Sequence, residues 1–234
     1  PVPAPLVRPV LEGRQPPVRI LVTGYGKFGP YTEDGQNPSW QLAQQLAAKK
    51  FPGAEVKAVL LPVEWSRVEA FSKDVLATYE PDVIINLGAG RNTIEAWAEN
   101  ETSGEDATGR SRFGEPALPG GPEWLQSTLP LSAIEAALDR AEDARNGGRL
   151  HLRAGEGTPQ QRLEQARLEQ DRDWANKYLC NFLNYRMLAA TRGTGVLSGF
   201  FHVDETTAPQ ELEVVVEQSL IAALQARRTT RPNS

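Results

Sequence analysis

The chain has 234 residues, 40% of them hydrophobic, a formal net charge of −5 and a single cysteine. That is apolar material for one sizeable core, while one thiol excludes an internal disulfide or a cysteine-cluster metal site. No stretch approaches a membrane span, and the mixing of acidic and basic residues argues against the concentrated basic face that nucleic acid requires.

Residues 1–17 carry Pro1, Pro3, Pro5, Pro9, Pro16 and Pro17 without periodicity, which predicts an extended arm. The chain opens on Pro1 rather than Met, so an export signal already removed stays open as an expectation. Val18 to Val22 is a short apolar run ending in Thr23-Gly24 and suits a buried first strand. The glycines at 24, 26 and 29 do not have dinucleotide-loop spacing, and no helix opens directly after them. Asn37-Pro38-Ser39 reads as a helix start, with Trp40, Leu42, Ala43 and Leu46 continuing to about Lys50.

Val56 to Leu61 is a second strand, Val63 to Tyr79 a helix and Val83 to Leu87 a third buried strand leading into Gly88-Ala89-Gly90-Arg91. Strand and helix alternating at this spacing predict a single-domain α/β fold, a three-layer α/β/α sandwich with a mostly parallel central sheet. Ligands of such sheets bind beyond the carboxyl ends of the strands, so the loops after Val22 and Leu87 are where a site is expected. Glu101 to Gly121 reads as a long irregular excursion. Ser127 to Pro130 leads into a helix through Leu138 and Arg140.

From about 141 to 173 the chain turns strongly charged, with only Leu163, Ala166 and Leu168 as a thin apolar stripe; it reads as an exposed helix or hairpin inserted in the domain. A helical pattern starts around Cys180, with Phe182, Leu183, Met187 and Ala190 near one face, and stops at Gly193. Val196 to Val203 is strand-like. Ala208-Pro209 opens a last helix burying Leu212, Val215, Val216, Leu220, Ile221 and Leu224. The domain is thus expected over 18–228, with a frayed tail at 229–234.

A thiol at a helix start meets unpaired N–H groups and the positive end of the helix dipole, both of which favour the thiolate. The other reading of Cys180 is a small buried hydrophobe. A nucleophilic thiol needs a base, and the chain holds two histidines. His151 lies in the charged insertion, where nothing apolar would build a dry site. His202 ends a strand just after Gly199, which makes Cys180–His202 the economical pair, against a core histidine satisfied by backbone.

These segments together resemble the pyroglutamyl peptidase I (pyrrolidone carboxylate peptidase) family, α/β cysteine exopeptidases. The matching pieces are Thr23-Gly24-Tyr25 to Phe28-Gly29, Asn37-Pro38-Ser39, Leu61-Pro62-Val63, Gly90-Arg91, Glu95 with Asn100, Ser127 to Pro130, Tyr178-Leu179-Cys180-Asn181 and Gly199 to Val203. The resemblance implies Cys180 as nucleophile, His202 as general base and then acid, and Glu95 as the carboxylate that orients the imidazole. On the residues alone, Glu95 reads as an exposed helix carboxylate. By the same resemblance Arg91 assists the oxyanion, and Tyr25 and Phe28 sandwich a flat pyrrolidone ring; core packing is the other reading of Phe28.

The family resemblance further implies a peptide substrate with a blocked N-terminus, no metal or organic cofactor, a cytoplasmic location and self-association into homo-oligomers. Departures fall around the expected recognition loops. Trp174 and Asn176 stand where small residues are usual, the segment between Arg91 and Glu95 is short, and the charged insertion is extra. They leave open a cysteine hydrolase acting on another amide, or a binding module without turnover.

Overall fold

A computed structural model of the chain describes residues 16–141, 150–151, 158–172 and 177–229. The arm up to residue 15, the tail from 230, residues 142–149 and 152–157 of the charged insertion, and 173–176 with Trp174 and Asn176 lie outside the described residues.

Five strands form the central sheet in the order β2-β1-β3-β9-β4. The strands β1 (Val18–Tyr25), β2 (Ala54–Leu61), β3 (Val83–Ala89) and β9 (Leu197–Val203) run parallel, and the short β4 (Thr93–Glu95) returns antiparallel along β9. The strands β1 and β3, buried on both faces, are the continuous apolar runs of the sequence. Alternate residues feed two separate cores. Ile20, Val22, Ile85, Leu87 and Phe201 face α1 (Pro38–Ala48), α3 (Leu131–Ala141) and α6 (Pro209–Thr229). Leu21, Ile84 and Phe200 face α2 (Trp65–Tyr79) and α5 (Leu179–Thr191). These are the three expected layers.

Local chemistry sets the element ends. Asn37 caps α1 by accepting from Ser39 N–H at 3.1 Å, with Pro38 in the first turn. The helix α5 stops at Thr191, two residues before Gly193 takes φ +76°. Among the described residues no helix is long and apolar enough to cross a membrane.

Four expectations change. Residues 101–121 contain a β-hairpin, β6 (Thr102–Glu105) with β7 (Ser111–Glu115), whose polar residues give no apolar periodicity to read. The remaining pair, β5 (Trp97–Glu99) with β8 (Trp124–Gln126), and this hairpin pack over α5, so that helix is buried nearly all round rather than on one face. Ile221 is 47% exposed, because the buried stripe of α6 runs through Leu212, Val215, Val216, Ser219, Leu220 and Ala223. The insertion also returns to the core: Leu150 is fully buried, and Ile94 N–H donates to the His151 carbonyl at 2.9 Å. Its helix α4 (Pro159–Arg172) is largely exposed as expected, held by buried Ala166 and by Trp97 Nε1 donating to the Leu163 carbonyl at 2.8 Å.

Candidate active site

The sheet and α5 bring three of the sequence candidates to one place. His202 sits near the carboxyl end of β9, paired with Gly88 of β3 on one side and Thr93 of β4 on the other. Glu95 pairs with Phe200, two residues from His202 on the same strand face, so carboxylate and imidazole are diagonal neighbours within reach of each other. Glu95 Oε1 lies 2.7 Å from His202 Nδ1. At 3% exposure Glu95 is a buried strand residue rather than the exposed helix carboxylate that the residues alone suggested.

Cys180 enters from above. It is the second residue of α5, half-buried, and lies with Glu95, His202 and Phe200 along one narrow cleft. Two glycines of β3 and its loop make the approach possible. A Cβ on Gly88 would stand 2.8 Å from Cys180 Sγ and 2.6 Å from the Phe200 ring, and one on Gly90 would stand 2.7 Å from His202 Cδ2. The Gly-Ala-Gly run is therefore the seat of the thiol and the imidazole.

The electrostatics follow from this packing. Burial pushes the His202 pKa down, but neighbouring Cys180, as charge and as hydrogen-bond partner, and then Glu95 outweigh it and raise the pKa to about 10. With Nδ1 engaged by Glu95, Nε2 is the ring nitrogen left to face the thiol.

A cavity of about 530 Å³ opens in front of Cys180, lined among others by Tyr25, Phe28, Arg91, Tyr178 and Glu205. The loops after β1 and β3 both contribute, as the sheet rule predicts. Tyr25 is buried, and its hydroxyl donates to the Leu179 carbonyl at 2.8 Å. Burial, then Cys180 and Tyr178, hold its pKa well above the ordinary phenol value. Phe28 is 38% exposed at the mouth, and its ring partner is Tyr178, with centroids 5.7 Å apart and planes tilted by 30°. Arg91 is exposed on the rim. His151 carries its exposed side chain elsewhere and lines neither cavity nor cleft.

Several residues that sequence reasoning missed shape this cavity. Tyr178 is pinned by its hydroxyl donating to the Glu105 carbonyl at 2.7 Å and by Gly104, where a Cβ would collide with its ring at 2.6 Å. Asn92 fixes the loop bearing Arg91 by donating to Asp204 Oδ1 and Thr206 Oγ1, each at 3.1 Å. Tyr31 donates to Glu205 at 3.0 Å, tying the loops after β1 and β9. The Asp204-Glu205-Thr206-Thr207 run after His202 is turn chemistry that signals a structured loop. Tyr178 belongs to the Tyr178-Leu179-Cys180-Asn181 motif, which marks it as a neighbour of the thiol but gives it no role at the cavity.

A mostly parallel α/β sheet with a thiol, an imidazole and a carboxylate gathered past its strand ends has the make-up of a cysteine hydrolase. Similarity narrows the class. The family model described as "Pyroglutamyl peptidase" matches residues 18–142. The pyrrolidone-carboxylate peptidase of Clavibacter michiganensis is 30% identical over 195 residues, covering 80% of this chain and 79% of that one. That of Pyrococcus furiosus is 31% identical over 194 residues, covering 80% of each. Among solved structures, the pyrrolidone carboxyl peptidase of Thermococcus litoralis shares the fold with a TM-score of 0.67 at 22% identity, over 93% of this chain and 98% of the other. Pyroglutamyl peptidase I of Bacillus amyloliquefaciens does so at 0.66 and 18%, over 88% and 95%. The chain belongs to the pyroglutamyl peptidase family. It is accordingly a hydrolase, of the cysteine-type omega peptidase class.

Proposed function

We propose that the protein removes an N-terminal 5-oxoproline (pyroglutamyl) residue from peptides, with Cys180 as nucleophile, His202 as proton carrier and Glu95 as the group that orients His202. The observation that carries this reading is the approach of Cys180 and Glu95 to one imidazole in the narrow cleft, with Cys180 also lining the 530 Å³ cavity. The substrate is a peptide blocked at its N-terminus, its lactam ring lying against the aromatic faces of Tyr25 and Phe28.

The chemistry balances without a cofactor. His202 takes the thiol proton, and Cys180 Sγ bonds to the carbonyl carbon that joins 5-oxoproline to the next residue. The resulting oxyanion is met by first-turn N–H groups of α5 and by Arg91. Tyr178 at the cap position offers no side-chain acceptor to those N–H groups, which suits them to this task. The imidazolium then gives its proton to the leaving amine as the C–N bond breaks, leaving a thioester. Water, deprotonated by His202, hydrolyses it, and the thiol is restored. Throughout, Glu95 holds the tautomer and stabilises the imidazolium.

The test is release of aminomethylcoumarin from its pyroglutamyl amide by wild type and by Cys180→Ala. The expected result is release by the wild type and a loss of at least about 10³-fold in the variant. A thiol that reacts with iodoacetamide without any release would instead assign the site to another amide. Release that survives Cys180→Ala would remove the nucleophile from the scheme.

A further inference from the structure

We infer that Asn181, assisted by Lys177, is a positioning residue that sets the distance between Cys180 and the Glu95–His202 pair; the inference rests on the reading of Cys180 as nucleophile. The first turn of a helix is its least secure part, and here it carries the reactive atom with no side-chain cap from Tyr178. Asn181 supplies the missing hold. It is buried beside Cys180 and turns its amide outward onto the segment 99–101. Glu99 N–H donates to Asn181 Oδ1 at 2.8 Å, while Asn181 Nδ2 donates to the carbonyls of Glu99 at 2.8 Å and Glu101 at 3.0 Å. The side chain thus pairs with that segment as a neighbouring strand would.

Lys177, four residues earlier, grips the same segment through its side chains, with Nζ 3.1 Å from Glu99 Oε1 and 2.8 Å from Glu101 Oε2. Cys180 lies between these two anchors. The gripped segment begins four residues after Glu95, and it is held in turn by β5–β8 pairing, in which Glu99 stands opposite Trp124. A rigid path therefore runs from the carboxylate along β4 and β5 and across the Asn181 amide to the thiol. Asparagine fits this role because it has both an acceptor and a two-proton donor on one short planar group. Aspartate matches its shape but would set a second acceptor against two carbonyl oxygens.

The experiment compares full-length wild type with Asn181→Asp, Lys177→Met and a control, Thr191→Ala. Thr191 bonds the Met187 carbonyl at the far end of α5 and touches no part of the site. Three quantities are read for each: kcat and KM on the pyroglutamyl coumarin amide, the rate of Cys180 alkylation by iodoacetamide at pH 7, and the thermal midpoint. For Asn181→Asp, kcat is expected to fall about 10- to 100-fold, as displacement of a reacting group by a fraction of an ångström produces. KM stays within about threefold, since ground-state binding is not what is lost, and alkylation slows in parallel with kcat. For Lys177→Met the loss in kcat and in alkylation rate is about two- to fivefold. Thr191→Ala keeps wild-type kcat and alkylation. A folded Asn181→Asp with wild-type kcat and alkylation rate, or a kcat loss that Thr191→Ala reproduces, overturns the inference. Should Asn181→Asp not fold, Lys177→Met decides: slowed alkylation supports the inference and an unchanged rate overturns it. Alkylation also keeps this test separate from the substrate assignment, because it needs no pyroglutamyl turnover.

Discussion

The two faces of the central sheet bury different kinds of residue. Against α1, α3 and α6 lies a mainly apolar core of Ile20, Val22, Leu42, Leu46, Ile85, Ile134 and Val216, to which those helices add only Ser39, Glu135 and Ser219 as buried polar residues. The face against α2 and α5 mixes apolar residues with buried polar and charged ones: Glu95, Arg112, Asn181, Asn184 and Arg186. Two of these arginines flank Phe182 on the nucleophile helix, at 5.0 Å for Arg112 and 5.9 Å for Arg186. Arg186 is held by Ser72 Oγ at 3.0 Å and the Ala117 carbonyl at 3.3 Å, and Arg112 by Glu69 at 3.3 Å. An apolar core specifies that the sheet and helices come together. Buried polar groups are costly unless partnered in fixed geometry, so the second face also specifies where α5 stops sliding, and α5 carries the thiol.

Mutation can break this contrast in order of expected effect on catalysis. Glu95→Gln leaves shape intact but takes away the charge that supports the imidazolium, and kcat should fall about 10³- to 10⁴-fold with little change in thermal midpoint. Steady-state kinetics beside a melting curve check this; a loss under tenfold would reduce Glu95 to a packing residue. Gly88→Ala and Gly90→Ala drive a methyl into Cys180 Sγ or the His202 ring, with an expected loss of about 100-fold in kcat. Chemical denaturation should register about 1–3 kcal/mol for the overpacking.

The pH dependence sharpens the same contrast. With its pKa raised to about 10, His202 keeps the proton that the leaving amine needs up to that pH, so activity should decline as pH rises through about 10 rather than near the ordinary 6.5. Removing Cys180 takes away the leading influence that raises the value. Imidazole NMR of Cys180→Ala should therefore show His202 titrating at a lower pH than in wild type, and superimposable titrations would contradict that coupling. On the apolar face, Leu46→Ala should cost about 2–5 kcal/mol of stability while kcat, measured where the variant is folded, stays at the wild-type value.

What could be read from sequence follows the same division. The runs VRILV, VIINL and VLSGFFHV are apolar because they are buried on both sides, and the Leu212–Val215–Val216 stripe is periodic because one face of α6 is dry, so the framework was legible. Cys180 and His202 stood out by scarcity. Glu95 did not: a three-residue strand has no periodicity, and the burial that makes it a partner is created by β9 and α5, about a hundred residues later in the chain. Only family likeness pointed to it. The hairpin at 102–115 was missed because backbone pairing builds it, leaving Phe113 66% exposed. Gly88 and Gly90 read as loop residues until the side chains they admit were in place. Asn181 belongs to the motif that carries the family resemblance, but its role is not legible there, since its partners are backbone atoms of another segment.

The scheme as a whole requires an acyl group to reside on one sulfur between two chemical steps. Acid quenching of the wild-type protein during steady-state turnover of a pyroglutamyl amide, followed by peptide mapping by mass spectrometry, looks for that group directly. A pyroglutamyl adduct on the peptide containing Cys180 is the predicted result. Turnover with the adduct on another residue, or continued turnover by Cys180→Ser, would contradict the account.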